Sequence, residues 1–344
     1  MLRLSHTRAL GCAVLSLALT GTALASASAA NFPAAKRAAQ LLYATTLDWN
    51  AGNGTVYVYH AYGKNTSPIR QIAIAAGFPD GVWTDPKGDV YVSVVNAGNG
   101  GHGYINEYSP GGTTLLQTYT GGLNGPSGGA FDAAGNMYVA DLCTPNQNYS
   151  CGVFAWAGNL RGVNVARNDR SATLSGFIGV YPPGSTQPSE QLQSPVLNIP
   201  VTVAVDKAQN IFASDNTGEA NWNVVEFPAG SGTAKVAPLL GLPNDAWVGA
   251  VAFNQANALV VGTNESINIY PREHGKPATV LTSGLFAPDG LAFGADGTLF
   301  AGNYEFENNE GNILAFPPGS NTPTRSFAVP YGNGVVAVAV GDAR

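Results

Sequence analysis

The chain has 344 residues, of which 11% are charged and 45% hydrophobic, with 43 glycines and 22 prolines. That hydrophobic share excludes a disordered chain, and the glycines follow no triplet period, which excludes a collagen-like one. A net charge of −6, with only 16 lysines and arginines, leaves no basic footprint for a nucleic acid.

The N-terminus reads as a secretory signal. Arg3 and Arg8 flank an apolar run from Ala9 to Leu24, and Ala25 to Ala30 supplies small residues for cleavage. Residues 1–30 are therefore expected to be removed and the protein to be secreted, extracellular or periplasmic. The apolar run is short and broken by Gly, Ser and Thr, so it makes a poor span, although an uncleaved anchor is the alternative. No later stretch is apolar enough to cross a bilayer, so no membrane span is expected after cleavage. Residues 31–344 remain as one domain with two cysteines, Cys143 and Cys151. In an exported chain such a pair is expected to form a disulfide.

The most specific signal is internal. Gly81-Val-Trp-Thr-Asp85-Pro-Lys-Gly-Asp-Val-Tyr-Val92 is echoed by Gly129 to Asp141 and by Val203 to Asp215. Weaker copies start at Val251 and Leu291. Each copy is an apolar segment, a polar turn, a β-rich segment and then Asp or Asn. A second element follows, ending in an aromatic and a Pro/Gly turn: Tyr59, Tyr108, Tyr181, Phe227, Tyr270 and Phe316. The aromatics are spaced by 49, 73, 46, 43 and 46 residues. A period in the forties with short alternating strands and no helical periodicity after residue 45 predicts a β-propeller.

Six aromatics predict six blades, each a four-stranded antiparallel sheet of strands a to d. In the second unit, strand a is expected at Val82–Thr84, b at Val90–Val94, c at Tyr104–Tyr108 and d at Thr114–Tyr119. Asp85, Asp132 and Asp206 suit side-chain capping of the a–b turn. The first blade lacks its own strand a, because Leu41–Thr46 looks like strand b. The C-terminal segment Gly334–Val340 looks like a lone strand a, so the C-terminal strand is expected to join the N-terminal blade and close the ring. The spacing of 73 marks an insertion in the third blade, about residues 142–175, which carries both cysteines, Trp156, Arg161, Arg167 and Arg170.

The units Pro79-Asp80-Gly81-Val-x-x-Asp85-x-x-Gly88 and Pro126-x-Gly-Gly-Ala-x-Asp132-x-x-Gly-Asn resemble NHL repeats. They are also similar to the gluconolactonase (senescence-marker protein) family of six-bladed propellers. The resemblance covers about residues 40–341. It implies the fold, and it implies that an enzymatic member would hold a divalent metal in the axial channel on carboxylate and Asn ligands.

Antiparallel blades put the starts of strands a and the b–c loops on one face, the top, and the a–b and c–d turns on the other. At the starts of strands a lie Asp80, Ser127, Val201, Val248, Asp289 and Asn333. Asp80, Asp289 and Asn333 match part of the lactonase pattern and suit Ca²⁺ or another divalent cation; Pro-Asp-Gly is equally ordinary turn chemistry. At the ends of strands b lie Asp48, Asn96, Asp141, Asp215, Asn264 and Asn303, where short acceptors satisfy loop amides or meet a ligand. Trp49, Trp156, Trp222 and Trp247 map to the top with Tyr304, Phe306 and Tyr331, an arrangement suited to stacking on sugar rings or to packing over blade seams. His102, after a Gly-rich stretch, is a candidate general base. No nucleophile elbow, zinc-protease or phosphate-loop motif is present.

Three functions follow. The first is a secreted binding module, monomeric and without catalytic activity, whose top face takes a glycan or small organic ligand through Trp49, Trp222, Trp247, His102, Tyr304 and Asn303. The second is a metal-dependent lactone or ester hydrolase using Asp80, Asp289 and Asn333. The third is a cell-surface structural scaffold.

Overall fold

A computed structural model describes residues 39–48, 53–74, 77–95, 102–142, 176–215, 222–242, 248–305, 310–330 and 334–343. They form six four-stranded sheets around one axis, a six-bladed β-propeller. No helix among the described residues is long and apolar enough to cross a membrane.

Blade 1 contains β1 (Gln40–Asp48), β2 (Asn53–His60), β3 (Arg70–Ile72) and, from the far end of the chain, β24 (Gly334–Asp342). Blade 2 is β4 (Phe78–Thr84), β5 (Val90–Val95), β6 (Tyr104–Tyr108) and β7 (Leu115–Tyr119). Blade 3 is β8 (Pro126–Phe131), β9 (Met137–Asp141), β10 (Phe177–Tyr181) and β11 (Glu190–Leu192). Blade 4 is β12 (Pro200–Val205), β13 (Ile211–Asp215), β14 (Asn223–Phe227) and β15 (Lys235–Val236). Blade 5 is β16 (Val248–Phe253), β17 (Leu259–Thr263), β18 (Ile267–Tyr270) and β19 (Thr279–Leu281). Blade 6 is β20 (Pro288–Phe293), β21 (Leu299–Glu305), β22 (Glu310–Phe316) and β23 (Arg325–Ala328).

The predicted closure is present. β24 lies antiparallel to β1, with Leu41 opposite Gly341 and Thr46 opposite Val335, and so serves as the inner strand of blade 1. The expected strands of blade 2 are present to within a few residues at their ends.

Strand alternation explains the core. Successive side chains point to opposite faces of a blade, so Leu41 and Tyr43 pack towards blade 2 while Leu42 and Ala44 pack towards blade 6. Apolar clusters fill all six seams between neighbouring blades. In the seam between blades 2 and 3, Trp83 stacks on Tyr91 at 6.0 Å, and Tyr91 meets Phe131 edge-on.

The repeating aromatics at the ends of strands c tie blades together. Tyr59 Oη donates to Ala328 O at 3.1 Å, Tyr181 Oη to Gly121 O at 2.8 Å and Tyr270 Oη to Leu240 O at 3.4 Å. Each bond runs back to the end of strand d of the preceding blade or to the connection just after it. Burial pushes all three phenols upward, which keeps them protonated as donors.

The bottom face is bound turn to turn. Asp85, Asp132 and Asp206 each accept from a backbone N–H of their own a–b turn, as expected. Between turns, Ala133 N donates to Gln209 Oε1, Lys207 N to Asn257 Oδ1, Gln255 Nε2 to Ala295 O, and Ala295 N to Gln40 Oε1. Gln209 and Asn257 hold φ of 68° and 62°, where other blades place Gly88, Gly135 and Gly297. Their side chains contact the adjacent blade in return for that left-handed backbone.

Two outcomes test this architecture. Tyr181→Phe leaves Gly121 O without its donor and should cost about 1 kcal/mol, read by urea denaturation. Deleting residues 334–344 removes the inner strand of blade 1 and should abolish the cooperative thermal transition, read by circular dichroism.

Candidate functional site

Strand a departs from regular pairing at the same height in all six blades. The register shifts between Pro79 and Val82, Pro126 and Gly129, Pro200 and Val203, Val248 and Val251, and Pro288 and Gly290, and on β24 opposite Thr45 and Thr46. A bulge of this kind unpairs a residue and re-aims its side chain. Four blades place proline just before it, where the missing N–H is tolerated. The released residues are Asp80, Ser127, Val201, Gly249, Asp289 and Val336, and together they line a narrow axial cavity of about 20 Å³, room for about one water. Each blade contributes to it.

The residue after the bulge is small because the inner strands nearly touch. A Cβ at Gly81 would lie 2.3 Å from Ser127 O, and one at Gly290 would lie 2.6 Å from Val338 N. Hydroxyls answer polar groups around the bulge. Gly81 N donates to Ser93 Oγ at 2.7 Å, and Thr202 N to Ser214 Oγ at 3.1 Å. Others cross between blades: Thr45 Oγ1 donates to Asp80 O and Ser214 Oγ to Gly249 O, both at 3.0 Å.

Two carboxylates therefore face one cavity. Asp80 and Asp289 come from blades 2 and 6, with Val336 of blade 1 between them in the ring. Asp289 is 2% exposed. Burial pushes the Asp80 carboxyl up to about 6, although a hydrogen bond from Ser127 pulls the other way. Beside the pocket, Leu47, Tyr304 and Val336 form an apolar cluster against which Phe78 and Trp222 pack half-buried. All five stand at the top ends of their strands or just before them.

Register revises part of the sequence alignment. Counting from the bulge, the blade 1 counterpart of Asp80 is Val336, because Val335 pairs with Thr46 as Pro79 pairs with Val94. Asn333, expected as a third metal ligand, falls three residues earlier and lies outside the described residues. In blade 5 the pocket residue is Gly249 rather than Val248. Among the described residues no group of three or more His, Cys, Asp or Glu could hold a metal ion. Two carboxylates flanked by Val201, Gly249 and Val336 form an incomplete shell for a cation that takes six to eight oxygens.

At the ends of strands b, one register position holds Thr46, Val94, Asp141, Asp215, Thr263 and Asn303. Asp48, Asn96 and Asn264 lie one or two residues beyond it, so Asp or Asn occupies it in three blades rather than six. There these side chains pin the loop before strand a. Asp141 accepts from the N–H of Asn124 and Gly125, Asp215 from those of Asn198 and Ile199, and Asn303 from that of Phe286. Burial raises Asp215 above the usual carboxylate range despite the opposing hydrogen bonds from Asn198 and Ile199.

Of the other candidate ligand contacts, Tyr304 is a core side chain at 1% exposure and Asn303 is buried in the loop lock. Trp222 is half-buried, and His102 is exposed with Nδ1 3.1 Å from Asn124 Oδ1. Trp49 follows directly on β1 and Trp247 directly precedes β16; both lie outside the described residues, as do Cys143, Cys151, Trp156, Phe306 and Tyr331. The structure thus brings Asp80 and Asp289 together and sets Asn303 and Tyr304 inside the protein body. The hydroxyls Ser127 and Thr202 complete the lining; the Pro-x-Gly and Pro-Ser-Gly signatures heading strands a marked the spot without giving its register.

The fold defines a six-bladed β-propeller of four-stranded blades. No family model matches the chain, and no curated protein matches it. A chain from a crystal structure of a nidogen/laminin complex is similar in fold, with TM-score 0.62 and 14% identity over 89% of this chain and 99% of that one. A protein of unknown function from Bacteroides caccae, solved at 1.35 Å, is similar with TM-score 0.59 and 11% identity over 88% and 98%.

Burial sets a clear test. The folded value for Asp80, about 6, stands above its ordinary 3.8. Stability from this group is therefore full below about 3.8 and falls as pH rises through about 6. Asp80→Asn should remove that loss and raise stability at neutral pH by up to about 3 kcal/mol, with a flatter pH profile of the melting temperature. Conversely, Asp215→Ala orphans two loop amides and should cost about 2–4 kcal/mol in chemical denaturation.

Proposed function

We propose that this chain is a secreted binding module that takes a glycan or small organic ligand on its top face. The observation that carries the proposal is the contrast between the two ends of the axis. At the bottom, polar groups are spent in capped turns and turn-to-turn bonds. At the top, six bulges bring residues from every blade, five of them with side chains, to one narrow cavity beside a half-buried Trp222. Connections of very different length, from 264–266 to 142–176, link strands b to c at that end, and rigid scaffolds carry their specificity on such loops. A propeller of this architecture is part of a nidogen/laminin complex, so the fold serves molecular assembly in that protein. Export and a Cys143–Cys151 disulfide belong to the same proposal. N-terminal sequencing of purified protein should begin near residue 31, and its mass should rise by two hydrogens on reduction.

Glycan arrays and tryptophan fluorescence test the binding. A ligand should emerge whose affinity falls about tenfold in Trp222→Ala; no ligand, or an indifferent variant, overturns the proposal.

A second reading, a metal-dependent lactone or ester hydrolase of the gluconolactonase type, draws on the shared pocket of Asp80 and Asp289. Elemental analysis for calcium and other divalent metals decides it, together with a lactone panel on wild type and Asp289→Ala. A metal-free, inactive protein removes this reading.

A further inference from the structure

We infer that one face of blade 2 is an electron relay: a one-electron oxidation at Trp83 on the inner strand passes to Tyr119 on the outer strand, and Glu107 takes the phenol proton. The inference goes beyond the binding reading and does not depend on it. Three observations converge on it.

The first is an unbroken row of oxidisable rings. Trp83 stands opposite Tyr91 in the ladder between β4 and β5, and the two rings stack with centroids 6.0 Å apart and planes 12° apart. Tyr91 is in turn 6.2 Å from Tyr119 on β7. Centroid spacings in this range belong to rings in direct contact, so an electron crosses the blade in two short steps. Elsewhere among the described ring contacts, phenylalanine interrupts. Phe327 and Phe300 stand between Tyr59 and Tyr62 where blades 6 and 1 meet, and Phe212 meets Phe253 between blades 4 and 5. A phenylalanine ring is too hard to oxidise to carry the charge.

The second is a proton acceptor at the outer end of the row. A phenol loses its proton when it is oxidised, so the charge comes to rest where a base is already in place. Tyr119 Oη donates to Glu107 Oε2 at 2.7 Å, and Tyr91 hydrogen-bonds the same carboxyl. Tyr181 lies 6.2 Å beyond Tyr119, but its Oη donates to the Gly121 carbonyl, which takes up no proton. The relay therefore ends at Tyr119.

The third is Trp83 itself. It is 6% exposed, and its Nε1–H meets no acceptor among the described residues. A buried polar group without a partner costs stability, and a redox role is one of the reasons a fold keeps one. An oxidised indole sheds that proton when it can. Without an acceptor Trp83 stays a radical cation, a stronger oxidant than a phenol paired with a base, so the driving force points outward. Electrons and protons balance. An external one-electron oxidant removes an electron from Trp83, Tyr119 replaces it through Tyr91, and the Tyr119 proton moves to Glu107. A dissolved reductant such as ascorbate then supplies one electron to Tyr119, which takes its proton back. The relay moves oxidising charge away from the inner strands that build the axis.

The test tethers a ruthenium polypyridyl photo-oxidant to the full chain at Lys87→Cys, an exposed position in the turn that follows Trp83. Transient absorption and electron paramagnetic resonance follow the flash. An indole radical cation should give way to a tyrosine phenoxyl radical, more slowly in heavy water. Tyr119→Phe and Glu107→Gln should each lower the phenoxyl yield at least about tenfold, and Trp83→Phe should slow its formation at least about tenfold. Tyr181→Phe should leave yield and rate unchanged, and thermal melts verify that every variant folds. Oxidation that stops at Trp83 overturns the inference. So does a phenoxyl radical that persists in Tyr119→Phe or Glu107→Gln, or that forms at the same rate in Trp83→Phe.

Discussion

The pairing of β24 with β1 is the contact on which the molecule depends. Each apolar cluster lies between two blades, so a single blade buries neither of its faces alone. An open ring would leave the Leu42 side of blade 1 and the Phe300 side of blade 6 in water. Closing the circle with a strand from the other end of the chain removes both exposed faces at once and also satisfies the inner edge of blade 1. The axis, and every feature that converges on it, exists because of this one antiparallel ladder.

Around that axis the two ends have opposite characters. At the bottom, regular turns cap themselves with Asp or Asn and reach across to their neighbours. At the top, a bulge in each inner strand trades ladder regularity for a residue facing the cavity, and serine and threonine hydroxyls repair the hydrogen bonding. The exchange has a cost that is visible in Asp80, a carboxylate held in surroundings that disfavour its charge. Groups placed against their own stability are more often found where a ligand acts than where packing alone matters.

Much of the fold was legible because it repeats. The recurring Asp–Gly turns and terminal aromatics are local, and a period in the forties turns them into a blade count. Closure was legible because the first blade lacked an inner strand that the last residues supplied. The position of Asp80 and Asp289 at the axis followed from strand direction. What stayed hidden was register. A bulge changes which residue faces the cavity without altering the apolar pattern around it, so Val336 and Gly249 were not distinguishable from their neighbours Asn333 and Val248. Depth was equally hidden: Tyr304 sits at a strand end like a surface aromatic, yet Gly334 lets it settle against β24 as part of the core.

The same ladder joins residues near the beginning of the chain to residues at its very end, with Gln40 opposite Asp342. Contacts so far apart along the polymer are slow to form. During synthesis, blades 2 to 6 have all their strands before the last turn of the ring can be made, and blade 1 waits for the final residues to emerge. Until then its inner edge is a strand-shaped vacancy, the kind of unpaired edge through which folding intermediates misassemble.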